Sequence, residues 1–258
     1  MTPAGSLDPC ENPEVSRVAG QQKQVLIEEF TGIQCVNCPA GTQAIEDLAG
    51  VYGERLVVVS IHTGFFADPY PESSYDFRTT DGDQLAQLLG SPLGYPTAVI
   101  NRKKFFGESR LQLGRNKWAG HIATELASPR AARLDILSTF DPVTREISAS
   151  VAVFFDENPQ TPFKLSLFVT EDEIVDLQKT PDGIDPVYQH RHVFRDAVSP
   201  YNGIDIPIAT LENKTFCTQF KTTLSPDWNP GKIYLVAVLS RVGTDIEVVQ
   251  AAEEKLIP

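Results

Sequence analysis

Hydrophobic and polar positions along the chain fall into two textures. In the first half, unbroken apolar runs alternate with segments of helical spacing. Val25, Leu26 and Ile27 open one run, which Thr31 and Gly32 break, and Arg55 to Ile61 (RLVVVSI) form a second. Runs of this kind mark strands buried on both faces of a parallel sheet. Between them Ala44, Ile45, Leu48, Ala49 and Tyr52 recur at helical spacing, and Gly50 and Gly53 bring the helix to an end. Two such strands joined by one helix make a βαβ unit. Beyond it, Phe65 to Thr80 (FFADPYPESSYDFRTT) is too irregular for an element and is predicted as an aromatic loop. A short helix is predicted over 81–89, capped by Thr80 or Asp81 and ended by Gly90. A strand follows over 97–101 with a hairpin partner over 103–106, and then a helix carrying Trp118, Ile122 and Leu126.

From Arg130 the texture changes to alternation. Strands are predicted over 131–139, 145–155, 163–172, 188–195, 215–224, 232–240 and 246–252. Turn signals such as Asp141-Pro142, Glu157-Asn158-Pro159 and Pro181-Asp182-Gly183 separate them. This many short strands argue for an all-β, immunoglobulin-like sandwich. The predicted organisation is an N-terminal arm over 1–23, an α/β domain over 24–128 and the sandwich over 130–258.

Candidate chemistry sits where the first strand meets the first helix, in Val25 to Pro39, VLIEEFTGIQCVNCP. One turn holds Cys35 and Cys38 close enough to bond yet exposes only Cys35, and a helix N-terminus stabilises a thiolate there. Cys35 would attack a partner's disulfide and Cys38 would resolve the mixed intermediate. Pro39 falls in the first helical turn, where its missing amide hydrogen costs nothing. Two plainer readings stay open. A structural staple closing so short a loop would add little stability, and a zinc site needs four ligands although no second CxxC or HxxxH is present. His62 lies at the end of the second strand, on the sheet edge where the CxxC loop opens, and would either tune the sulfurs or serve as a hydrogen-bonded loop residue. His190 and His192 on one predicted strand could bind a metal or form a packed pair. No metal or cofactor is expected.

Two cysteines remain. Cys10 in the arm would bond Cys217 in an oxidising compartment, carry a lipid anchor, or stay a free thiol. Ser6, Leu7, Asp8 and Pro9 do not form the small apolar lipobox that a lipid anchor requires. The Pro-, Gly- and Ser-rich start reads as the trimmed end of a mature exported protein.

Charge narrows the partners. Among 258 residues, Lys plus Arg number 22 against 34 Asp plus Glu, a net of −12. That balance disfavours nucleic acid and anionic membrane surfaces. No apolar run approaches the roughly twenty residues that span a bilayer, and no signal peptide is seen at the start.

The order βαβ with CxxC, then a helix, then Tyr95-Pro96-Thr97 leading into an antiparallel strand pair, then a helix, resembles the thioredoxin fold over about residues 24–128. The resemblance implies a cis proline at Pro96 facing the CxxC and a Tyr95 backbone that pairs with substrate polypeptide. Thr97 and His62 complete the expected substrate-binding set. It also implies that Glu29, six residues before Cys35, is a buried carboxylate that exchanges a proton with Cys38; a solvent-facing carboxylate at the strand end is the alternative. Gln34 replaces the usual aromatic residue, and Val36-Asn37 replace the usual Gly-Pro, which leaves the redox direction open across about −270 to −120 mV.

The joint pattern of EEFTGIQCVNCPA, VVVSIHTGFFADP, YPTAVINRK and HRHVFR resembles a Bacteroidetes family of outer-membrane-associated proteins named for its twenty-eight-kilodalton size. That resemblance implies export and residence in the periplasm or at the outer membrane, in some members as lipoproteins. Two functions follow: a thiol-disulfide oxidoreductase or redox carrier acting on exported protein thiols and disulfides, or a cell-surface binding or adhesion protein on an inert thioredoxin-like scaffold.

Overall fold

The computed structural model describes Cys10 and residues 13–257. Residues 1–9 and 11–12 of the predicted arm therefore lie outside the described residues. The architecture is mixed α/β, mostly sheet with few helices.

The first predicted strand is β1 (Val25–Thr31), and all seven of its residues are buried. It pairs in parallel with β2 (Leu56–His62), Val25 opposite Leu56 and Thr31 opposite His62. Between them runs α1 (Cys38–Tyr52). Helix α2 (Thr80–Leu88) begins where Thr79 accepts a hydrogen bond from the Gly82 amide. Strand β3 (Thr97–Ile100) lies antiparallel to β1. Its hairpin partner is not 103–106 but β4 (Gln112–Leu113), Ala98 opposite Leu113. Asn101 and Arg102 both turn with positive φ, so the chain leaves β3 and loops through 103–106 before returning. Helix α3 (Arg115–Leu126) closes this half, with Trp118 fully buried.

The second half supplies β5 (Ala132–Phe140), β6 (Glu146–Phe155), β7 (Phe163–Glu171), β8 (Ile174–Thr180), β9 (Gly183–His190), β10 (Val193–Ala197), β11 (Ile204–Ile206), β12 (Thr215–Thr223), β13 (Ile233–Arg241) and β14 (Val248–Lys255). The strand predicted over 188–195 is two strands, β9 and β10, broken at His192, where φ is +52°. This break has a topological reason. The chain leaves a hairpin at β9 and inserts β10 between β2 and β7, parallel to the first and antiparallel to the second.

That insertion joins the halves. One sheet runs in the order β14-β13-β7-β10-β2-β1-β3-β4, with β11 paired to β7, so the predicted sandwich shares its larger sheet with the α/β half. The seam is the HRHVFR stretch: the Ser60 amide donates to the His192 carbonyl at 2.8 Å, and Phe194 packs edge-on against Phe168.

Alternation then assigns the faces. Leu26, Phe30, Val57, Val59, Phe168, Phe194, Val236 and Val238 form one core with Leu85 and Ala86 of α2. On the opposite face, Val25, Ile27 and Val58 pack with Ile45, Trp118 and Ile122 of α1 and α3. Farther along the sheet, a three-stranded layer, β12-β6-β5, covers Leu165, Leu167, Leu235 and Ala237. The strand pair β8-β9 stands apart as a sheet of its own.

Candidate functional site

The CxxC loop leaves β1 at Gly32 and enters α1 at Cys38, whose amide bonds the Cys35 carbonyl at 3.2 Å. Cys35 and Cys38 are disulfide-bonded with Cα atoms 5.3 Å apart. Val36 and Asn37 are exposed at the tip of the turn, but the cysteines point inward and are only 3% and 1% exposed. The expectation that Cys35 alone would be open is therefore not met in this oxidised form.

Two segments do the covering. The aromatic loop lies against the base of the turn: the Gln34 amide donates to the Phe66 carbonyl at 2.8 Å, and a Cβ on Gly32 would collide with that same carbonyl. The second cover comes from far along the chain. The Gln178 side chain in β8 donates from Nε2 to the Cys35 carbonyl at 3.1 Å and to the Gly32 carbonyl at 3.4 Å, while the Lys179 amide donates to the Ile33 carbonyl at 2.7 Å.

Beneath the turn lies Glu29. It is 1% exposed, so the solvent-facing alternative does not hold. Ser60 on the adjacent strand donates to its Oε2 at 3.3 Å, and its Oε1 has no partner among the described residues. Burial pushes the Glu29 carboxyl up to about 8, against the smaller opposing pull of the Ser60 hydroxyl. Its distance from α1 is set by Gly41, where a Cβ would stand 2.7 Å from Glu29 Oε1 and 2.7 Å from Pro96 Cγ. Gly41 follows Cys38 by one helical turn, so the carboxyl, the first turn of α1 and the Pro96 ring meet at one place. The Tyr95–Pro96 peptide bond is cis.

The remaining predicted residues separate. Tyr95 packs on Phe66 and lines a cavity of about 700 Å³ together with Phe65, Asp68, Arg78 and Leu93. Thr97 is turned inward, and its hydroxyl donates to the Leu113 carbonyl at 3.0 Å, so it ties β3 to the chain around β4. His62 is 3% exposed and lies among Phe77 and His190, with ring centroids 4.9 and 5.7 Å away. Burial holds it neutral, well below the usual histidine range, and lowers His190 to about 4. His190 and His192 do not form a pair. His190 bonds the Leu177 carbonyl, whereas His192 bonds Glu46 of α1 at 3.2 Å. Cys10 and Cys217 are joined by a disulfide that spans 207 positions.

Gln178 was not foreseen. Its signal was the sequence IVDLQKTPDGIDPVYQH, alternating residues on both sides of a Pro-Asp-Gly turn. That pattern marks a hairpin but says nothing of where it docks.

Comparisons with known proteins bear on the whole chain. The model of the family described as outer membrane protein Omp28 matches residues 83–256. The match starts within α2 and leaves out β1, the CxxC and β2. Among solved structures, HBP35 of Porphyromonas gingivalis superposes with a TM-score of 0.73 at 18% identity, over 91% of this chain and 76% of that one. The protein AGR_C_4864 from Agrobacterium tumefaciens gives a TM-score of 0.55 at 13% identity, over 92% and 96%. At these identities the likeness is one of fold. No curated protein matches the chain.

Proposed function

The chain belongs to the Omp28 outer membrane protein family and is an exported, outer-membrane-associated protein; from that premise we propose that it is a thiol-disulfide redox protein working through Cys35 and Cys38 on the thiols of other exported proteins. No helix among the described residues is long and apolar enough to cross a membrane. The observation that carries the reading is Glu29. A fully buried carboxyl with one orphan oxygen and the Ser60 hydroxyl as its donor costs stability. Strongly shifted acids of this kind cluster at working sites.

In the oxidised form Glu29 is protonated at neutral pH, because it titrates near 8. A partner thiolate attacks the Cys35 sulfur, the Cys35–Cys38 bond breaks and a mixed disulfide forms. Cys38 leaves as a thiolate and takes the Glu29 proton. A second partner thiolate then attacks the partner's own sulfur and releases Cys35, so the partner is oxidised to a disulfide and the CxxC is reduced. Run backwards, Glu29 accepts the Cys38 proton as that thiol becomes the nucleophile. The thioredoxin-like arrangement of β1, α1, β2 and β3, and the placing of Tyr95 and Pro96 for an extended substrate, belong to the same proposal.

A second reading is favoured by the burial of both sulfurs: an inert bond inside a surface-binding protein, whose 700 Å³ cavity beside Tyr95 would hold the ligand. A redox titration decides between them. Free thiols are trapped by alkylation across defined thiol buffers and counted by peptide mass. Reversible exchange of Cys35 and Cys38 above about −300 mV supports the redox reading, and slower exchange in Glu29→Gln supports its proton role. A bond that stays closed well below that potential sinks the redox reading in favour of surface binding.

A further inference from the structure

In the oxidised protein both CxxC sulfurs are buried, and of the two segments that lie against the loop the β8-β9 hairpin is the one that forms a separate sheet. We propose that this hairpin is a gate: it covers the Cys35–Cys38 bond at rest and swings off the Ile33–Cys35 loop as one unit to admit a partner thiol. The inference rests on the redox reading and adds to it the control of access.

The hairpin is built to move as a piece. Among the described residues its strands pair only with each other, Ile174 opposite His190 and Thr180 opposite Gly183, so every ladder bond survives its departure. Its outward face is bare, with Val175, Ile184 and Val187 at 52%, 52% and 71% exposure. Two-stranded hairpins are marginal in water by themselves, and weakly covered units of this kind are the ones that open locally.

What holds it down is a set of hydrogen bonds together with the buried His190 ring, whose centroid lies 4.7 Å from that of Phe77 and 5.7 Å from that of His62. Gln178 and Lys179 bond the CxxC loop as described, and the Asp176 carboxylate accepts from the Ser74 and Tyr75 amides at 3.1 and 2.9 Å. Ile174 packs with Ile33 and Phe77 at the root. Each of these bonds is exchanged for one to water on opening, so the net cost is a fraction of their gross strength. Both legs end in a non-glycine residue with positive φ, Glu173 at +55° and His192 at +52°. Such positions bound a rigid piece and absorb a change of backbone angle. The base stays in place because Arg191 and His192 grip Glu46 on α1.

In the open form the external thiolate attacks Cys35, the Cys35–Cys38 bond breaks, a mixed disulfide forms and Cys38 leaves as a thiolate that is then protonated. The test is the rate at which dithiothreitol reduces the pair in the folded wild type, in Gln178→Ala and in Lys179→Pro, read by alkylation and peptide mass. Alongside it, hydrogen exchange is followed over 174–190 and over β1 in the oxidised wild type. The gate predicts reduction at least about tenfold faster in both variants, the effect of losing roughly one or two buried hydrogen bonds, and hairpin amides that exchange well before those of β1. Equal rates in all three proteins, or hairpin amides as protected as β1, overturn the gate and leave the redox reading standing. A pair that stays oxidised in all three, even at strongly reducing potential, overturns both. Should Lys179→Pro fail to fold, Gln178→Ala and the exchange measurement on the unaltered protein decide the matter.

Discussion

Glu28 and Glu29 are consecutive in β1 and both are buried, yet among the described residues only Glu28 is paired with a cation. Alternation sends them to opposite faces of the sheet. Glu28 receives the Arg102 guanidinium in a forked contact, Nε to Oε2 at 2.9 Å and Nη2 to Oε1 at 2.7 Å, with both side chains at 2% exposure or less. Glu29 faces α1 with Ser60 as its single donor. The paired carboxylate is structural and the orphaned one is the candidate for chemistry.

Removing Arg102 would strand the Glu28 charge. Arg102→Met should therefore lower stability by about 3–5 kcal/mol, measured by urea unfolding at pH 7, whereas Glu28→Gln with Arg102→Met together should recover a large part of that loss.

Glu29 has the opposite signature. Its pKa is raised in the folded state, so the folded chain holds a proton that the unfolded chain releases, and stability falls as pH rises from about 4.5 to about 8. Glu29→Gln removes that slope. The variant should gain on the wild type by up to about 1.4 kcal/mol per pH unit across this window, seen in unfolding curves at pH 5, 6.5 and 8. A constant difference between the two proteins would show that the carboxyl is not the titrating group.

Gly41 is where helix and carboxyl meet. Gly41→Ala should destabilise the fold by about 1–3 kcal/mol, because its methyl meets Glu29 Oε1 and the rigid Pro96 ring at 2.7 Å. Thermal unfolding of this variant beside Gly50→Ala is the check, since nothing stands within 4 Å of a Cβ at Gly50.

The legible parts of the molecule were those written locally. The Val25–Ile27 run, the helical spacing after Ala40 and the alternation of the second half are each visible within a short window, and the strands and helices formed there. Glu29 was named through the resemblance of the first half to the thioredoxin fold, and of its two readings the buried one is what the structure shows. What could not be read depends on contacts between distant residues. The insertion of β10 between β2 and β7 joins Ser60 to His192 across the whole middle of the chain, and the seating of Gln178 on Cys35 spans more than half of it. Neither leaves a periodic signal, because both concern which buried edge a segment finds. The partner of β3 was misplaced for a related reason: residues 103–106 look like a strand locally, but the turn at Asn101 and Arg102 directs them away.

The disulfide between Cys10 and Cys217 closes a loop of 207 positions. In the chain-entropy account a loop of that length limits the unfolded ensemble by about 5 kcal/mol. The double variant Cys10→Ser with Cys217→Ser should accordingly lose roughly 2–5 kcal/mol in urea unfolding while Cys35 and Cys38 stay bonded. A loss within error of zero would mean that the arm adds nothing to the stability of the fold.

The last prediction concerns His192, whose ring bonds Glu46 at 3.2 Å and so fastens the β9-β10 turn to the CxxC helix. Burial alone would lower the His192 pKa, but the Glu46 hydrogen bond, with Asp172 and Glu253 nearby, outweighs it and holds the ring above the usual histidine range. Glu46 is held below the usual carboxylate range, chiefly by the same bond, with Arg191 contributing. The histidine's contribution is present below about pH 6.5 and is lost as pH rises through its raised folded value; the carboxylate's is present above about 4.5 and is lost on acidification. The two overlap in mildly acid solution. His192→Gln should thus cost about 1–3 kcal/mol near pH 5.5 and clearly less at pH 8.5, read from urea unfolding at both. An equal cost at both pH values would mean that the ring acts through packing alone.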